Sequence, residues 1–342
     1  MPYNNIYQEV AAEYAGLDLS PLYGKNLLIT GATGLIGSYL VETIRWLNTE
    51  RAANIHLYIV SHNGLPTHLQ ELEQDSHTCI LAGDLTDSDW RKTLPTADFI
   101  IHAAGYAQPG KFTAAPEKTL TLNTSATADL LEKLVPGGKF LFISTSEVYS
   151  GLDKAAYQET DIGTTTPQHP RACYIEGKRC GEAFCMAYRE KGVDVKCARL
   201  SLAYGPGTRA DDRRVLNEFI KKGIQNHEIR LMDSGAAGRA YCYVTDAVED
   251  MWNILLHGKE PVYNVGGHSV TSIRELAQSV GQLLRVPVSF PEESSEMTGA
   301  PKSVQVDLTM IEQEFGKTSY IELQEGLRRT IEWQLSNLYP NR

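Results

Sequence analysis

Two side chains in the segment CYIEGK, residues 173–178, could perform acid–base chemistry together. Tyr174 and Lys178 are four positions apart, a spacing that places both side chains on one face of a helix. A tyrosine ionises near pH ~10, too high for a base at neutral pH, and a neighbouring ammonium lowers that value. The pair is therefore a candidate general base with its activator, although ordinary surface residues also occur at this spacing.

A second group of polar side chains follows an apolar stretch in FISTSEVYSG, residues 142–151. Thr145 and Glu147 stand among serines at the point where a buried strand should end. Hydroxyl side chains at such a point are typical of a simple turn. The carboxyl end of a strand in a parallel sheet is also where ligands bind, so the segment fits a catalytic role as well.

The segment TGATGLIG, residues 30–37, has the glycine spacing of a dinucleotide-binding turn. It directly follows an apolar run and begins an amphipathic segment. Glycines here let the backbone turn tightly and approach a pyrophosphate, while the N-terminus of the following helix stabilises the anion. The predicted cofactor contacts in this turn are Gly31, Thr33, Gly34, Leu35, Ile36 and Gly37.

The tip of the second predicted strand indicates which dinucleotide binds. An acidic residue there would hold a ribose diol, and an arginine would hold a 2′-phosphate. The tip reads Ser61, His62 and Asn63, and no arginine or lysine lies between residues 61 and 70. We therefore expect these three residues to lie along the cofactor, and we expect NAD rather than NADP.

Short apolar runs alternate with helical patterns along most of the chain. The runs that read as buried strands are residues 26–30, 55–60, 78–83, 98–104, 139–145 and 194–201. The main amphipathic segments cover roughly residues 35–49, 117–134, 173–191 and 212–224. This order predicts an α/β fold with a doubly wound parallel sheet, which binds ligands at the carboxyl ends of its strands.

After about residue 201 the pattern loosens into loops, and a final helix follows near residues 322–338. The expected parts are an N-terminal arm at 1–24, an NAD-binding domain at 25–200 plus about 239–266, and a smaller α+β substrate domain at 201–238 plus 267–342.

Composition argues against several kinds of partner. The chain of 342 residues has a formal net charge of -10, whereas nucleic acids and anionic membranes require a basic surface. It has no apolar run of membrane-spanning length and a polar, acidic N-terminal stretch, so we expect a cytoplasmic protein. Its 6 cysteines and 9 histidines show no metal-type spacing, so we expect no metal site. His102 lies inside an apolar strand and is interpreted as a hydrogen-bonded core residue.

The motifs TGATGLIG, IHAAG, STSEVYS, PRACYIEGK and YGPG, in this order, resemble the extended short-chain dehydrogenase/reductase family. That family contains nucleotide-sugar epimerases, dehydratases and decarboxylases. STSEVY, PRACYIEGKR and GRAYCYVTDA are most similar to UDP-glucuronate decarboxylases. The resemblance implies a Rossmann-type fold, tightly held NAD and a nucleotide-diphosphate sugar as substrate. It also implies a homodimer, in which the helices near 117–134 and 173–191 form a four-helix bundle with their twins.

The resemblance further implies roles for the polar residues. Tyr174, as phenolate, would take the proton of a sugar hydroxyl at C4 while hydride passes to the nicotinamide. Thr145 would hydrogen-bond the same hydroxyl, and Lys178 would lower the pKa of the tyrosine and bind the nicotinamide ribose. The resulting 4-ketone either acidifies the C5 proton or turns a C6 carboxylate into a β-keto acid that loses carbon dioxide. Glu147 would act in that later step.

By the same resemblance, other residues lie along the two ligands. Those expected at NAD are Asp84, Leu85, Ala103, Ala104, Gly105 and Asn123, and those expected at the sugar nucleotide are Tyr106, Arg214 and Arg239. For the arginines, the ordinary alternative is a surface salt bridge.

Departures from the family pattern concern the substrate. Ser146 stands where 4,6-dehydratases have an aspartate acid, which disfavours dehydration, and Leu202 replaces an asparagine that usually contacts the substrate. Ser150 replaces the glycine after VY, and only Lys302 lies near the place of the carboxylate-binding arginine of the decarboxylases. Decarboxylation of UDP-glucuronate is the expected reaction, with 4-epimerisation and 4,6-dehydration as alternatives. A nucleotide-sensing protein without turnover is a remote alternative, because such proteins typically lack the Tyr/Lys pair.

Overall fold

A computed structural model describes residues 5–291 and 305–340 of the chain. The strands are β1 Asn26–Thr30, β2 His56–Ser61, β3 Thr78–Ala82, β4 Ala97–His102, β5 Leu134–Thr145, β6 Asp194–Leu200, β7 Leu202–Tyr204, β8 Ile229–Arg230, β9 Gly238–Tyr243, β10 Val262–Val265, β11 Ser269–Ser272 and β12 Val288–Ser289.

The α-helices are α1 Ile6–Glu13, α2 Leu35–Arg51, α3 Ser88–Lys92, α4 Pro109–Ala114, α5 Pro116–Asn123, α6 Ser125–Leu131, α7 Ala172–Glu190, α8 Val215–Asn226, α9 Val244–His257, α10 Ile273–Leu284, α11 Thr309–Phe315 and α12 Leu323–Asn337. Short 3₁₀ helices lie at Ser20–Leu22, Thr67–Gln74 and Ser146–Tyr149. Among the described residues, no helix combines the length and the apolar character that crossing a membrane requires.

The centre of the fold is a sheet of 7 parallel strands in the order β10-β6-β5-β4-β1-β2-β3. Successive residues of a strand enter different hydrophobic cores. Leu27 and Ile29 of β1 pack with α2 and α9, whereas Leu28 packs with α5, α6 and α7. Burial on both faces explains why the strands read as continuous apolar runs, and it confirms the predicted doubly wound parallel sheet.

The strand order reverses between β1 and β4. In such a sheet the ligand crevice opens at the carboxyl ends of these two strands. Thr30 and His102 are paired there, and Thr145 at the end of β5 is paired with Leu200. The sheet thus brings the glycine turn after β1 and the polar segment after β5 to the same edge.

The predicted helix at 117–134 is interrupted in the structure. Two helices, α5 and α6, meet at Thr124, which has φ -116° and ψ -87°. The hydroxyls of Thr124 and Thr127 donate to the carbonyls of Leu120 and Asn123, four residues earlier in each case. Such side-chain bonds compete with regular helix geometry and bend the helix. As a result, Asn123 ends α5.

The C-terminal part of the described chain forms smaller sheets, β11-β9-β7 and β12-β8. Helices α8, α10 and α12 pack beside them. The sequence assigned about 239–266 to the NAD-binding domain. In the structure β10 joins the large sheet, whereas β9 pairs with β7 and β11. Apolar periodicity predicts a strand but does not indicate which sheet the strand enters.

The described part of the N-terminal arm, residues 5–24, lies outside the sheet, as expected, but it contains a helix that its sequence did not predict. Helix α1 packs on α2, and Ile6, Val10 and Tyr14 are buried. The Tyr14 hydroxyl donates to the carbonyl of Thr245 at 3.0 Å, near the start of α9. The arm is therefore part of the folded core.

Candidate active site

The turn between β1 and α2 has the geometry of a pyrophosphate site. Gly31 has φ +71°, and a Cβ there would lie 2.5 Å from the carbonyl of Ala103. At Gly37, a Cβ would lie 2.2 Å from the carbonyl oxygen of Gly31. Gly34 is the N-cap of α2 and provides no side-chain cap, so the first backbone N–H groups of the helix are available to an anion. Only glycine fits at the two crowded positions, and the turn fits NAD.

A buried histidine fixes the opposite wall of this turn. His102 Nε2 lies 2.8 Å from the carbonyl of Leu122, so Nε2 carries the proton. Thr30 therefore donates its hydroxyl to His102 Nδ1 at 2.7 Å, and the Thr30 oxygen accepts the N–H of Ala104 at 3.2 Å. Burial lowers the pKa of His102 to about 3, which keeps the ring neutral. The prediction of a hydrogen-bonded core histidine is confirmed, and its partners position the loop that carries Ala103 and Ala104.

The residues predicted at the adenosine end lie at the tips of β2 and β3. Ser61 is buried and donates its hydroxyl to the carbonyl of Gly64, while His62 and Asn63 are exposed. Asp84 is partly desolvated, but hydrogen bonds from Thr86 and the nearby Lys118 outweigh that effect and lower its pKa to about 2. Leu85 is buried, and its carbonyl accepts from Arg91. Asp84 is thus ionised beside the adenosine end of the predicted cofactor path.

Tyr174 lies in the first turn of α7, almost fully buried. Its ring stacks on Phe112 of α4, with centroids 4.7 Å apart and planes at 3°. Burial, and after it the negative charge of Glu147, raise the pKa of Tyr174 to about 12. A hydrogen bond from Thr145 and the charges of two arginines act in the opposite direction. In the protein alone, burial therefore outweighs the groups that would make Tyr174 a base.

Lys178 lies one helical turn further along α7 and is also buried. Its Nζ donates to the carbonyl of Ile143 at 2.6 Å and lies 4.6 Å from the centroid of the Phe142 ring. Burial lowers the pKa of Lys178 to about 8, although the Glu182 carboxylate opposes the shift. The Lys178 ammonium group therefore lies near the end of β5, at the edge of the sheet that carries the glycine turn.

Gly105 and Asn123 join Lys178 to the cofactor turn. A Cβ at Gly105 would lie 3.8 Å from both the Lys178 Nζ and the Asn123 Oδ1. Asn123 donates its Nδ2 to the carbonyl of Thr119, but its buried Oδ1 has no hydrogen-bond partner among the described residues. A ligand group, a water or an ion can satisfy such a buried acceptor, so the contact of Asn123 with NAD stays a prediction.

Glu147 lies in the short 3₁₀ helix Ser146–Tyr149, directly after β5. The Thr145 side chain caps this helix by accepting the N–H of Glu147 at 3.2 Å. Glu147 Oε1 forms an ion pair with Nη2 of Arg171, whereas Oε2 is shielded from solvent and has no hydrogen-bond partner within residues 5–291 and 305–340. Burial raises the pKa of Glu147, and the Arg171 charge opposes this rise. The turn after β5 thus presents one carboxylate oxygen that no protein group occupies.

Two residues of this site were missed by the sequence analysis. Arg171, three positions before Tyr174, is the N-cap of α7 and the partner of Glu147. Its basic side chain in PRACY was the available signal. Phe112, the ring on which Tyr174 stacks, lies in a separate helix, and no local pattern connects it with Tyr174.

Two of the predicted substrate residues, Arg214 and Arg239, belong to the C-terminal part of the fold. Arg214, at the N-cap of α8, forms a bidentate pair with Asp212, and Arg239 on β9 donates to the carbonyl of Gly238. The charges of Arg239 and Arg214 both act on Tyr241, whose pKa burial raises to about 12. The charge of Arg171 also reaches Arg239, so the arginines of both lobes face one region.

Tyr106 is half-buried in the loop before α4. That loop is tied to the C-terminal part because Gln108 accepts the N–H of Arg213 at 3.2 Å, and Lys111 pairs with Asp211 at 2.8 Å. Leu202 is half-buried at the start of β7, and Lys302 lies outside the described residues. Tyr106 is therefore placed where the two lobes meet.

The chain belongs to the NAD-dependent epimerase/dehydratase family, whose sequence profile matches residues 27–266. This match confirms the predicted family, and with the observed sheet it confirms the Rossmann-type α/β fold. A UDP-glucuronic acid decarboxylase of Xenopus tropicalis is 29% identical over 314 residues, which are 90% of this chain and 72% of that protein. A dTDP-glucose 4,6-dehydratase of Streptomyces griseus is 26% identical over 313 residues, 90% of this chain and 93% of that one.

Solved structures of similar fold come from the same group of enzymes. A dTDP-glucose 4,6-dehydratase of Streptomyces venezuelae, solved with NAD, has a TM-score of 0.78 at 23% identity, covering 91% of this chain and 97% of its own. A UDP-glucuronic acid 4-epimerase of Bacillus cereus, solved with UDP-glucuronic acid and NAD, has a TM-score of 0.75 at 24% identity, covering 92% and 100%. These likenesses support the fold.

Proposed function

We propose that this protein uses NAD to modify a nucleotide-diphosphate sugar through a 4-keto intermediate, with decarboxylation of UDP-glucuronate as the reaction to test first. The observation that supports the proposal most is that Thr145, Tyr174 and Glu147 lie close together at the carboxyl end of β5. This is the same edge of the sheet that carries the glycine turn. The decarboxylase relatives, 29% identical across most of the chain, favour that reaction.

In this proposal, the oxidation step depends on Thr145 and Tyr174. Thr145 orients the C4 hydroxyl of the sugar, and Tyr174 receives its proton. When bound, NAD accepts and later returns a hydride, and its nicotinamide ring carries a positive charge. A pKa of about 12 is too high for Tyr174 to act as a base at neutral pH, so added positive charge beside its oxygen is required. In this proposal Lys178, one helical turn along α7, supplies part of that charge.

Glu147 acts after the ketone exists. Loss of carbon dioxide breaks the C5–C6 bond, the electron pair of that bond passes into an enolate, and C5 must then gain a proton. Burial raises the pKa of Glu147, which favours the protonated carboxyl group that can donate to C5. We assign that exchange to Oε2, the oxygen that has no partner among the described residues.

The test uses purified protein and a panel of nucleotide sugars, followed by NMR. With UDP-glucuronate, we expect carbon dioxide together with UDP-xylose or its 4-keto precursor. Turnover of another nucleotide sugar instead would keep the mechanism and reject the decarboxylase assignment. Mass spectrometry of the supernatant after denaturation of the protein should find NAD. Recovery of NADP would contradict the assignment of NAD as the cofactor.

A 4-epimerase is the second candidate. Leu202 stands in place of the family's asparagine, and the usual arginine of the decarboxylases is missing from the sequence. The fold is also similar to that of a UDP-glucuronic acid 4-epimerase. Detection of a C4 epimer without release of carbon dioxide would favour this candidate. A 4,6-dehydratase is disfavoured because Ser146 is a poor acid.

We also propose a two-fold homodimer and a cytoplasmic location. Helices α5 and α7 pack side by side, and Leu120 of α5 is 40% exposed. This arrangement supports a four-helix bundle with a second copy. Light scattering should give the dimer mass, and Leu120→Glu should reduce it to the monomer mass, whereas Val270→Glu, at an exposed position on β11, should not. A monomer mass for the wild type at micromolar concentration would contradict the bundle.

The proposed cytoplasmic location is supported by the cysteines. All 6 are unpaired, as is typical of proteins in a reducing compartment.

A further inference from the structure

We propose that Arg171 is the positioning residue of Glu147: its guanidinium fixes one carboxylate oxygen and leaves the other to the reacting sugar. This inference rests on the proposed function only for the identity of the reacting group. The geometry that supports it is a property of the folded chain.

The first support is that the two oxygens of the Glu147 carboxylate have different contacts. Oε1 is paired with Arg171 Nη2, and Oε2 is shielded from solvent without a hydrogen-bond partner among the described residues. A buried carboxylate oxygen without a partner is unfavourable in a purely structural pair. Arg171 Nε is likewise shielded from solvent without a partner among the residues that the structure describes, so the pair leaves one donor and one acceptor for a ligand group.

The second support is the way in which Arg171 is itself held. It is the N-cap of α7, and its guanidinium carbon lies 5.4 Å from the centroid of the Phe112 ring. Phe112 is fully buried and stacks on Tyr174. Arg171, Phe112 and Tyr174 thus form one layered unit, so the position of Glu147 is tied to that of the proposed base.

The third support is electrostatic. Arg171, at the N-cap of α7, and Tyr174 are the groups coupled electrostatically with Glu147. Further out, the charge of Arg214 acts on Tyr174, that of Arg171 acts on Arg239, and the His169 ring accepts the backbone N–H of Arg171 at 3.2 Å. Arg171 is the cation in direct contact with the carboxylate. Without Arg171, burial would act on Glu147 with no cation in direct contact to oppose it, and the carboxyl group would stay protonated to a higher pH.

The experiment measures the titration of Glu147 in full-length protein carrying its purified cofactor, labelled with ¹³C at the glutamate carboxyl carbon. The resonance of Glu147 is assigned by its loss in Glu147→Gln. Arg171→Gln should raise the titration midpoint by about one pH unit or more, and Arg171→Lys should raise it less because a cation remains.

The matched control is Arg179→Gln. Arg179 lies on the same helix and contacts the same 3₁₀ segment, but through the carbonyl of Val148, and it pairs with Glu176. Its replacement should leave the Glu147 midpoint unchanged. An unchanged midpoint in Arg171→Gln, or equal shifts in both variants, would overturn the proposal.

A second readout separates this inference from the proposed function. With a sugar substrate that the wild type turns over, Arg171→Gln should still reduce NAD in the first step, but more slowly, because the Arg171 charge also lowers the pKa of Tyr174. The pH profile of the later step should move to higher pH. If Arg171→Gln leaves that profile unchanged, the positioning role is rejected. If the wild type converts no nucleotide sugar, the proposed function fails, and the titration still decides the role of Arg171.

Discussion

Two glutamates of this protein are paired with arginine in very different surroundings. Glu9 on α1 is 1% exposed and accepts hydrogen bonds from the hydroxyls of Tyr39 and Tyr243 at 2.5 and 2.6 Å, and from Arg329 at 3.0 Å. Glu147 has one cation on one oxygen and no partner among the described residues for the other. A carboxylate with every oxygen satisfied holds elements together, whereas the unsatisfied oxygen of Glu147 supports the proposal that this residue meets a ligand.

The elements joined by each glutamate support this distinction. The partners of Glu9 come from α2, β9 and α12, so its carboxylate connects the N-terminal arm with both lobes. Glu147 contacts the first residues of α7 and lies close to Tyr174. Changes at Glu9 should therefore act on folding, and changes around Glu147 should act on chemistry.

The largest expected effect is on turnover, in Tyr174→Phe. The variant keeps the ring and its stack on Phe112 but loses the oxygen that exchanges a proton, so the rate should fall by ~10²–10⁴-fold. NAD content and the urea midpoint should stay at wild-type values. The control is Tyr188→Phe on the same helix, whose hydroxyl bonds Glu132 at the surface and whose loss should not change the rate. Wild-type turnover in Tyr174→Phe would remove Tyr174 as the base.

The next largest effect is expected on stability, and it tests Glu9, the structural glutamate of the comparison. Glu9→Ala leaves the hydroxyls of Tyr39 and Tyr243 without their acceptor, whereas Arg329 keeps Glu13 and Glu325, so the free energy of unfolding should fall by about 1–3 kcal/mol. Urea denaturation measures this. Glu13→Ala is the control, because Glu13 also bonds Arg329 but is more exposed, and it should lower the free energy of unfolding by less than about 1 kcal/mol. Equal losses of unfolding free energy in the two variants would show that Glu9 contributes no more to stability than the more exposed Glu13.

The sequence predicted the parts of this molecule that depend on local patterns. The strands were found because burial on both faces makes them continuous apolar runs, and the turn after β1 was found because its glycines are forced by close backbone contacts. The Tyr174 and Lys178 pair was found because a helix brings residues four apart to one face. The sequence analysis also expected Lys178 to lower the pKa of Tyr174. In the protein without bound NAD, the pKa of Tyr174 is instead raised to about 12.

The parts that the sequence did not predict depend on contacts between distant segments. The pairing of Arg171 with Glu147 spans 24 residues, and that of Arg329 with Glu9 spans 320. Neither leaves a periodic signal, because an arginine and a glutamate at such separations are ordinary surface residues until the fold brings them together. The break at Thr124 was missed for a different reason: apolar periodicity continues across it, and the competing hydroxyl bonds appear only in the structure.

The smallest expected effect is on stability, in Glu147→Gln, and it has the opposite sign to that of Glu9→Ala. Burial raises the pKa of Glu147 in the folded protein above its value in the unfolded chain. The ionised carboxylate therefore destabilises the fold at pH values above the folded pKa, and this penalty disappears as the pH falls below the unfolded pKa. Glu147→Gln should thus be more stable than the wild type at pH ~8, and the difference should close as the pH falls below the unfolded pKa.

The same variant separates the two chemical steps. The first oxidation, seen as absorbance of reduced NAD, should persist in Glu147→Gln, because the glutamate has no task before the ketone exists. The later step at C5 or C6 should stall. A variant that is less stable than the wild type at pH ~8 would place Glu147 with Glu9 as a structural connection. Normal turnover in Glu147→Gln would make STSEVYS a simple turn and favour the 4-epimerase, since that reaction needs no proton exchange at C5.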